Sequence, residues 1–97
     1  MRKYLVPITA AFILASMIQN VQADEKTQRC ESYAYSAVAD FHQMEEFSKC
    51  RVKPDARWQG NYQNHYRWCL TAKKEWVQSE RKARDRHLLD CGARFTF

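Results

Sequence analysis

The chain has 97 residues, 45% of them hydrophobic and 28% charged, with a formal net charge of +5. That length bounds it to one small domain, too short to bury a large apolar core without help from cross-links or a metal. Its four cysteines point to cross-links.

Residues 1–23 read as a secretory signal. Arg2 and Lys3 form a charged start, Tyr4 to Ile18 an apolar stretch, and Val21-Gln22-Ala23 a cleavage site with small or neutral residues. The apolar run falls short of the roughly 20 residues that span a bilayer. Cleavage therefore leaves residues 24–97 as a single domain with no transmembrane segment. All four cysteines lie in that domain, and an even count in an exported chain implies two disulfides, Cys30, Cys50, Cys69 and Cys91. The expected location is periplasmic or secreted. Asp24 to Lys49 carries six acidic and three basic residues, whereas Cys50 onward carries five acidic and eleven basic. A basic excess turned outward would suit an anionic envelope polymer or lipid headgroups.

No glycine or proline interrupts residues 25–48, where Cys30, Ala34, Ala37, Phe41, Met44 and Ser48 recur at helical steps. The spacing predicts a first helix with a narrow stripe of small residues, edged by Tyr33 and Val38. A polar loop follows, with a Pro54-Asp55 turn signal and Gly60 at its close. Asn61 to Cys91 again lacks glycine and proline, with Asn61 as a predicted N-cap and Gly92 as the residue that ends the helix. His65, Tyr66, Cys69, Lys73, Trp76, Glu80, Ala83, Arg84, His87 and Cys91 all fall within about 60° of Tyr62 on an ideal helix. One long second helix is favoured; a break between Lys73 and Ser79 would give three.

Cysteine spacing separates the two architectures. Cysteines 20 residues apart on one helix stand roughly 30 Å apart, well beyond the reach of a disulfide. An all-α, disulfide-stapled antiparallel hairpin favours Cys30–Cys91 with Cys50–Cys69. A small three-helix bundle running up, down and up takes Cys30–Cys69 with Cys50–Cys91. The hairpin register would set Ala34 near His87, Ala37 near Arg84, Phe41 near Glu80 and Met44 near Trp76. Glu80 and Arg84, at the favourable i,i+4 spacing, are expected to form a partly buried pair.

The pattern Cys30-x2-Tyr33-Ala34, Trp58, His65-x2-Trp68-Cys69 and Glu80-x3-Arg84-x3-Leu88-x2-Cys91 resembles a small cysteine-rich domain of exported bacterial proteins. The resemblance covers residues 30–91. It implies a periplasmic or secreted bacterial setting and a stapled helical fold, and it implies no substrate.

His65 and Cys69 are spaced for contact within a helix, but a cysteine committed to a bridge is no nucleophile. No metal-binding spacing such as HxxxH or CxxC occurs, so neither metal nor other cofactor is expected. The run Arg81-Lys82-Ala83-Arg84-Asp85-Arg86 points its charges around a helix rather than along one face, which argues against nucleic acid. The aromatic residues remain. Tyr62, Tyr66 and Trp76 fall on the expected seam, whereas Trp68 lies off it and Trp58 precedes the helix. Trp58 and Trp68, with Arg57 and Arg67, are the candidate binding residues, covering the loop or standing open to a sugar ring or protein partner. The expected function is a non-enzymatic exported binding module of the cell envelope, partnered by an envelope protein, an anionic or glycan polymer, or a second copy of the chain. The alternative is a small ligand- or metal-handling site around His65, Glu80, Arg84 and His87.

Overall fold

In the computed structural model the backbone is described for residues 5–95 and the side chains for residues 21–95. The charged start at Arg2 and Lys3 of the expected signal lies outside the described residues. The protein is all-helical, with α1 over Leu5–Glu46, α2 over Tyr62–Thr71 and α3 over Lys74–Asp90. A short 3-10 turn, Ser48–Cys50, follows α1. Among the described residues no helix is long and apolar enough to cross a membrane.

Two disulfides tie the helices together, Cys30–Cys69 and Cys50–Cys91, with Cα atoms 5.5 and 5.2 Å apart. This is the bundle pairing, not the hairpin pairing Cys30–Cys91 and Cys50–Cys69 that spacing favoured. The cause is a break between α2 and α3. Ala72 and Lys73 adopt extended backbone, at φ −80°, ψ 152° and φ −64°, ψ 145°. The Thr71 hydroxyl and the Ala72 amide both donate to the Trp68 carbonyl, closing α2 without glycine or proline. The chain reverses there, so α2 runs antiparallel to α1 and α3 runs parallel to it. The hairpin register is replaced accordingly. Met44 packs with Leu88, Cys50, Trp58 and Ala93, and Trp76 is 56% exposed instead of lying on a seam.

Asn61 caps α2 as expected, its side chain accepting from the Asn64 amide at 3.1 Å. Gly92 ends α3 with φ 90°, a value that a side chain would oppose. The amides of Ala93 and Arg94 then return to the Leu88 carbonyl. That return buries Ala93 and swings Arg94 onto Asp40 and Asp85.

The core is split into two apolar clusters, one around each bridge. Cys30, Tyr33 and Cys69 form one with Tyr66, Leu70 and Val77 around them. Met44, Cys50, Trp58, Leu88 and Ala93 form the other with Phe41 and Cys91. Between them lies a layer of alternating charge. Arg57 pairs with Glu80, Glu80 stands 3.8 Å from Arg84, and Arg84 stands 3.7 Å from Asp40. Asp40 in turn holds Arg94, and Arg94 holds Asp85. Arg84, 1% exposed, has all three guanidinium nitrogens without a hydrogen bond. It lies 4.8 Å over the Tyr33 ring, so cation–π attraction and its two carboxylates offset its desolvation.

Candidate functional site

The loop after α1 is shaped by Asp55. Its carboxylate accepts from the amides of Arg57 and Trp58, each at 2.9 Å, a turn that aspartate makes with its own following backbone. The turn drives the Trp58 ring inward, 4.9 Å from His87 and only 5% exposed. Trp58 therefore covers the loop and seals the core, and it offers no open platform. The same turn aims Arg57 outward, where its guanidinium donates twice to the Glu80 carboxylate, at 2.8 and 3.1 Å.

Facing that loop, the first turns of α2 carry Asn64, His65 and Trp68. His65 is buried and its Nε2–H donates to the Gln59 carbonyl at 2.9 Å. The Asn64 amide donates to the Gln59 side-chain oxygen at 2.8 Å. Trp68 leans on Tyr33 with ring centres 5.5 Å apart and remains 37% exposed. Between loop and helix opens a cleft of about 490 Å³. Tyr33 and Trp68 give it an aromatic wall, and Asn64, Gln59, Arg57 and Glu80 give it a polar rim.

The cleft gathers residues from both sequence-derived readings. Trp68 and Arg57 line it, and so do His65 and Glu80. Arg84 lies behind its Tyr33 wall. Arg67 is exposed elsewhere on α2. His87 is placed apart, its Nε2–H donating to the Cys50 carbonyl at 2.7 Å beside Trp58. The expected Glu80–Arg84 contact is present but long, because Glu80 gives its short bonds to Arg57. Among the described residues no three histidine, cysteine or acidic side chains converge as metal ligands. Sequence reasoning passed over Tyr33 as a cleft wall and Asp40 as a buried anion. A signal existed: Tyr33, Ala37, Asp40 and Met44 recur at four, three and four residues, and all four are buried.

Burial and pairing shift the titration of three groups in and behind the cleft. Hydrogen bonding to Arg57 holds the Glu80 carboxyl below its ordinary value, against a smaller opposing effect of burial. Burial pushes the His65 ring down, favouring its neutral form, against the hydrogen bond to Gln59. Burial also raises the Asp40 carboxyl, against the attraction of Arg94 and Arg84. His65 and Glu80 therefore take up a proton more readily in the unfolded chain. Their stabilisation is complete above the unfolded values, 6.5 and 4.5, and is lost as pH falls through the folded ones. Asp40 acts in the opposite sense, contributing stability below its unfolded value that is lost as pH rises through the folded one. A His65→Gln variant isolates the upper part: its urea midpoint is expected to change less than that of the parent between about pH 7 and pH 5.5. Equal slopes in the two proteins would remove His65 from this role.

Comparison with protein-family models, curated proteins and solved structures finds no match for this chain.

Proposed function

We propose that the protein is an exported, non-enzymatic binding module of the cell envelope, and that the cleft between the loop and α2 receives a sugar ring stacked on Trp68. The observation that carries this reading is the cleft's mixed wall. A half-open indole stands beside side-chain amides, a guanidinium and a carboxylate, all within one concavity. A sugar presents an apolar C–H face and a rim of hydroxyls, and such a wall matches both.

Export rests on the leader-like residues 1–23 and on the two disulfides, which are consistent with an oxidising, extracellular location. A binding role is favoured over catalysis by the charge states. Glycoside hydrolysis needs a carboxyl kept protonated as a general acid, whereas of the two that line the cleft Glu80 is held low by Arg57 and Asp55 is engaged as acceptor by the amides of Arg57 and Trp58. The four cysteines are all bridged, so none supplies a thiolate.

Soluble glycan strands cut from bacterial cell wall are the probe, with binding read by isothermal calorimetry. Truncating an aromatic binding anchor costs about 2 kcal/mol, so Trp68→Ala is expected to weaken binding about 25-fold. Trp76→Ala, which removes an exposed indole outside the cleft, is expected to change nothing. Asn64→Ala serves as a second cleft variant that leaves the Tyr33–Trp68 contact in place. Equal loss in the Trp68 and Trp76 variants, or none in either cleft variant, would overturn the reading.

A further inference from the structure

A second depression lies beside the cleft, between α1 and α3 above the Cys30–Cys69 bridge. Its volume is about 330 Å³, and its walls carry Lys26 and Arg29 from α1 and Lys74, Gln78 and Arg81 from α3. Among the described residues none of these four cations forms an ion pair. That sets them apart from Arg57, Arg84 and Arg94, which are each matched to a carboxylate. Lys26, Arg29 and Lys74 are exposed, so the folded core does not need them. Glu25 stands on the outer rim with Arg29 and Arg81.

The two depressions have no lining residue in common and meet at one contact. The Arg81 guanidinium sits 5.5 Å over the Tyr33 ring, and Tyr33 is the inner wall of the Trp68 cleft. A strand stacked on the indole therefore reaches the groove by bridging over the buried Tyr33 ring, from which Trp68 and Arg81 each stand 5.5 Å. A membrane surface is a poorer fit than a chain. Trp76, the exposed indole of α3, lies about 160° around the helix from Lys74, at 100° per residue. One flat surface cannot meet both the groove and that indole.

We propose that the groove and the cleft form one continuous site for an anionic glycan strand. A sugar ring stacks on Trp68 while carboxylate groups further along the strand are held by Lys26, Arg29, Lys74 and Arg81. This rests on the cleft reading above and adds the charge of the ligand and the direction in which it runs. Arginine forks hold carboxylates in two-point geometry, and unpaired cations in a concavity favour anions over neutral chains of the same shape.

The test uses the full mature protein and peptide-free cell-wall glycan strands whose lactyl carboxylates are free, beside the same strands with those carboxylates converted to amides. Wild type is expected to bind the free-acid strands about tenfold more tightly, with the advantage shrinking as salt rises. The double variant Arg29→Ala/Lys74→Ala is expected to lose that advantage while binding the amidated strands as wild type does. Trp68→Ala is expected to weaken binding of both. A double variant that keeps the full preference for free-acid strands overturns the groove and leaves the cleft standing. Binding of neither strand by wild type overturns both. Free-acid strands bound as tightly by Trp68→Ala as by wild type would assign the groove to polyanions without a sugar contact and overturn the continuous site.

Discussion

Replacing Asp40 with alanine is expected to destabilise the fold by about 3 kcal/mol or more, the cost of leaving a buried charge without its partner. Asp40 is the anion that faces both Arg84 and Arg94, and its side chain is nearly as buried as that of Arg84. Removing it strands the Arg84 guanidinium, which already lacks hydrogen bonds, with only Glu80 at 3.8 Å. It also takes from Arg94 its buried carboxylate, leaving Asp85, Gln43 and Leu88 to hold the tail. The opposite change is expected to be milder. Arg84→Met keeps an apolar side chain against Tyr33, leaves Asp40 with Arg94, and leaves Glu80 with Arg57. Urea unfolding of the two variants measures the asymmetry. Equal losses would mean that Arg84, and not the stranding of its charge, carries the energy of the layer.

Removing the Cys50–Cys91 bridge as a Cys50→Ala/Cys91→Ala pair is expected to cost about 4 kcal/mol, the chain-entropy value for a loop of this size. The bridge spans 41 residues and joins the loop, through Cys50, to the end of α3. Its cysteines sit within the cluster of Met44, Trp58 and Leu88, so truncation also leaves unfilled space there. Small domains stand only about 5–15 kcal/mol above unfolding. The variant is therefore expected to melt far below the parent in thermal denaturation. A melting temperature within a few degrees of the parent would show that helix packing alone sustains this end of the bundle.

The helical class, the N-cap at Asn61, the stop at Gly92 and the polar loop were all legible, because each rests on local chemistry that the sequence displays directly. The break at Ala72–Lys73 was legible only as the less favoured alternative, a break near Lys73 that would give three helices. It uses no glycine or proline, and its stabilising bonds run from Thr71 and Ala72 to one carbonyl of the preceding turn. Its benefit is tertiary: reversal lets α3 lie parallel to α1 and brings each cysteine to its partner. With one long helix favoured over that break, helical phase carried Trp76 onto a seam where it does not lie and understated Leu88, which is fully buried.

The cleft was legible in part. Trp68 stood out because it left the predicted stripe, and Arg57 was named beside it as a candidate binding residue. Trp58 drew the same attention, yet the Asp55 turn folds it inward, and only the loop's hydrogen bonds reveal that direction. Tyr33 was hidden by its proximity to a cysteine on an apparently structural helix. Its ring carries Arg81 and Arg84 and leans on Trp68, contacts that join three helices far apart in sequence.

The three indoles provide the most direct measurement. Trp58 is buried, Trp68 lines the cleft and Trp76 is exposed outside it, so their N–H signals report three separate places in a nitrogen-15 correlation spectrum. On titration with cell-wall glycan strands, the Trp68 indole and the Asn64 and Gln59 amides are expected to shift together, with Trp58 and Trp76 unmoved. Shifts confined to Trp76, or spread evenly over all three indoles, would contradict a sugar-binding cleft at Trp68.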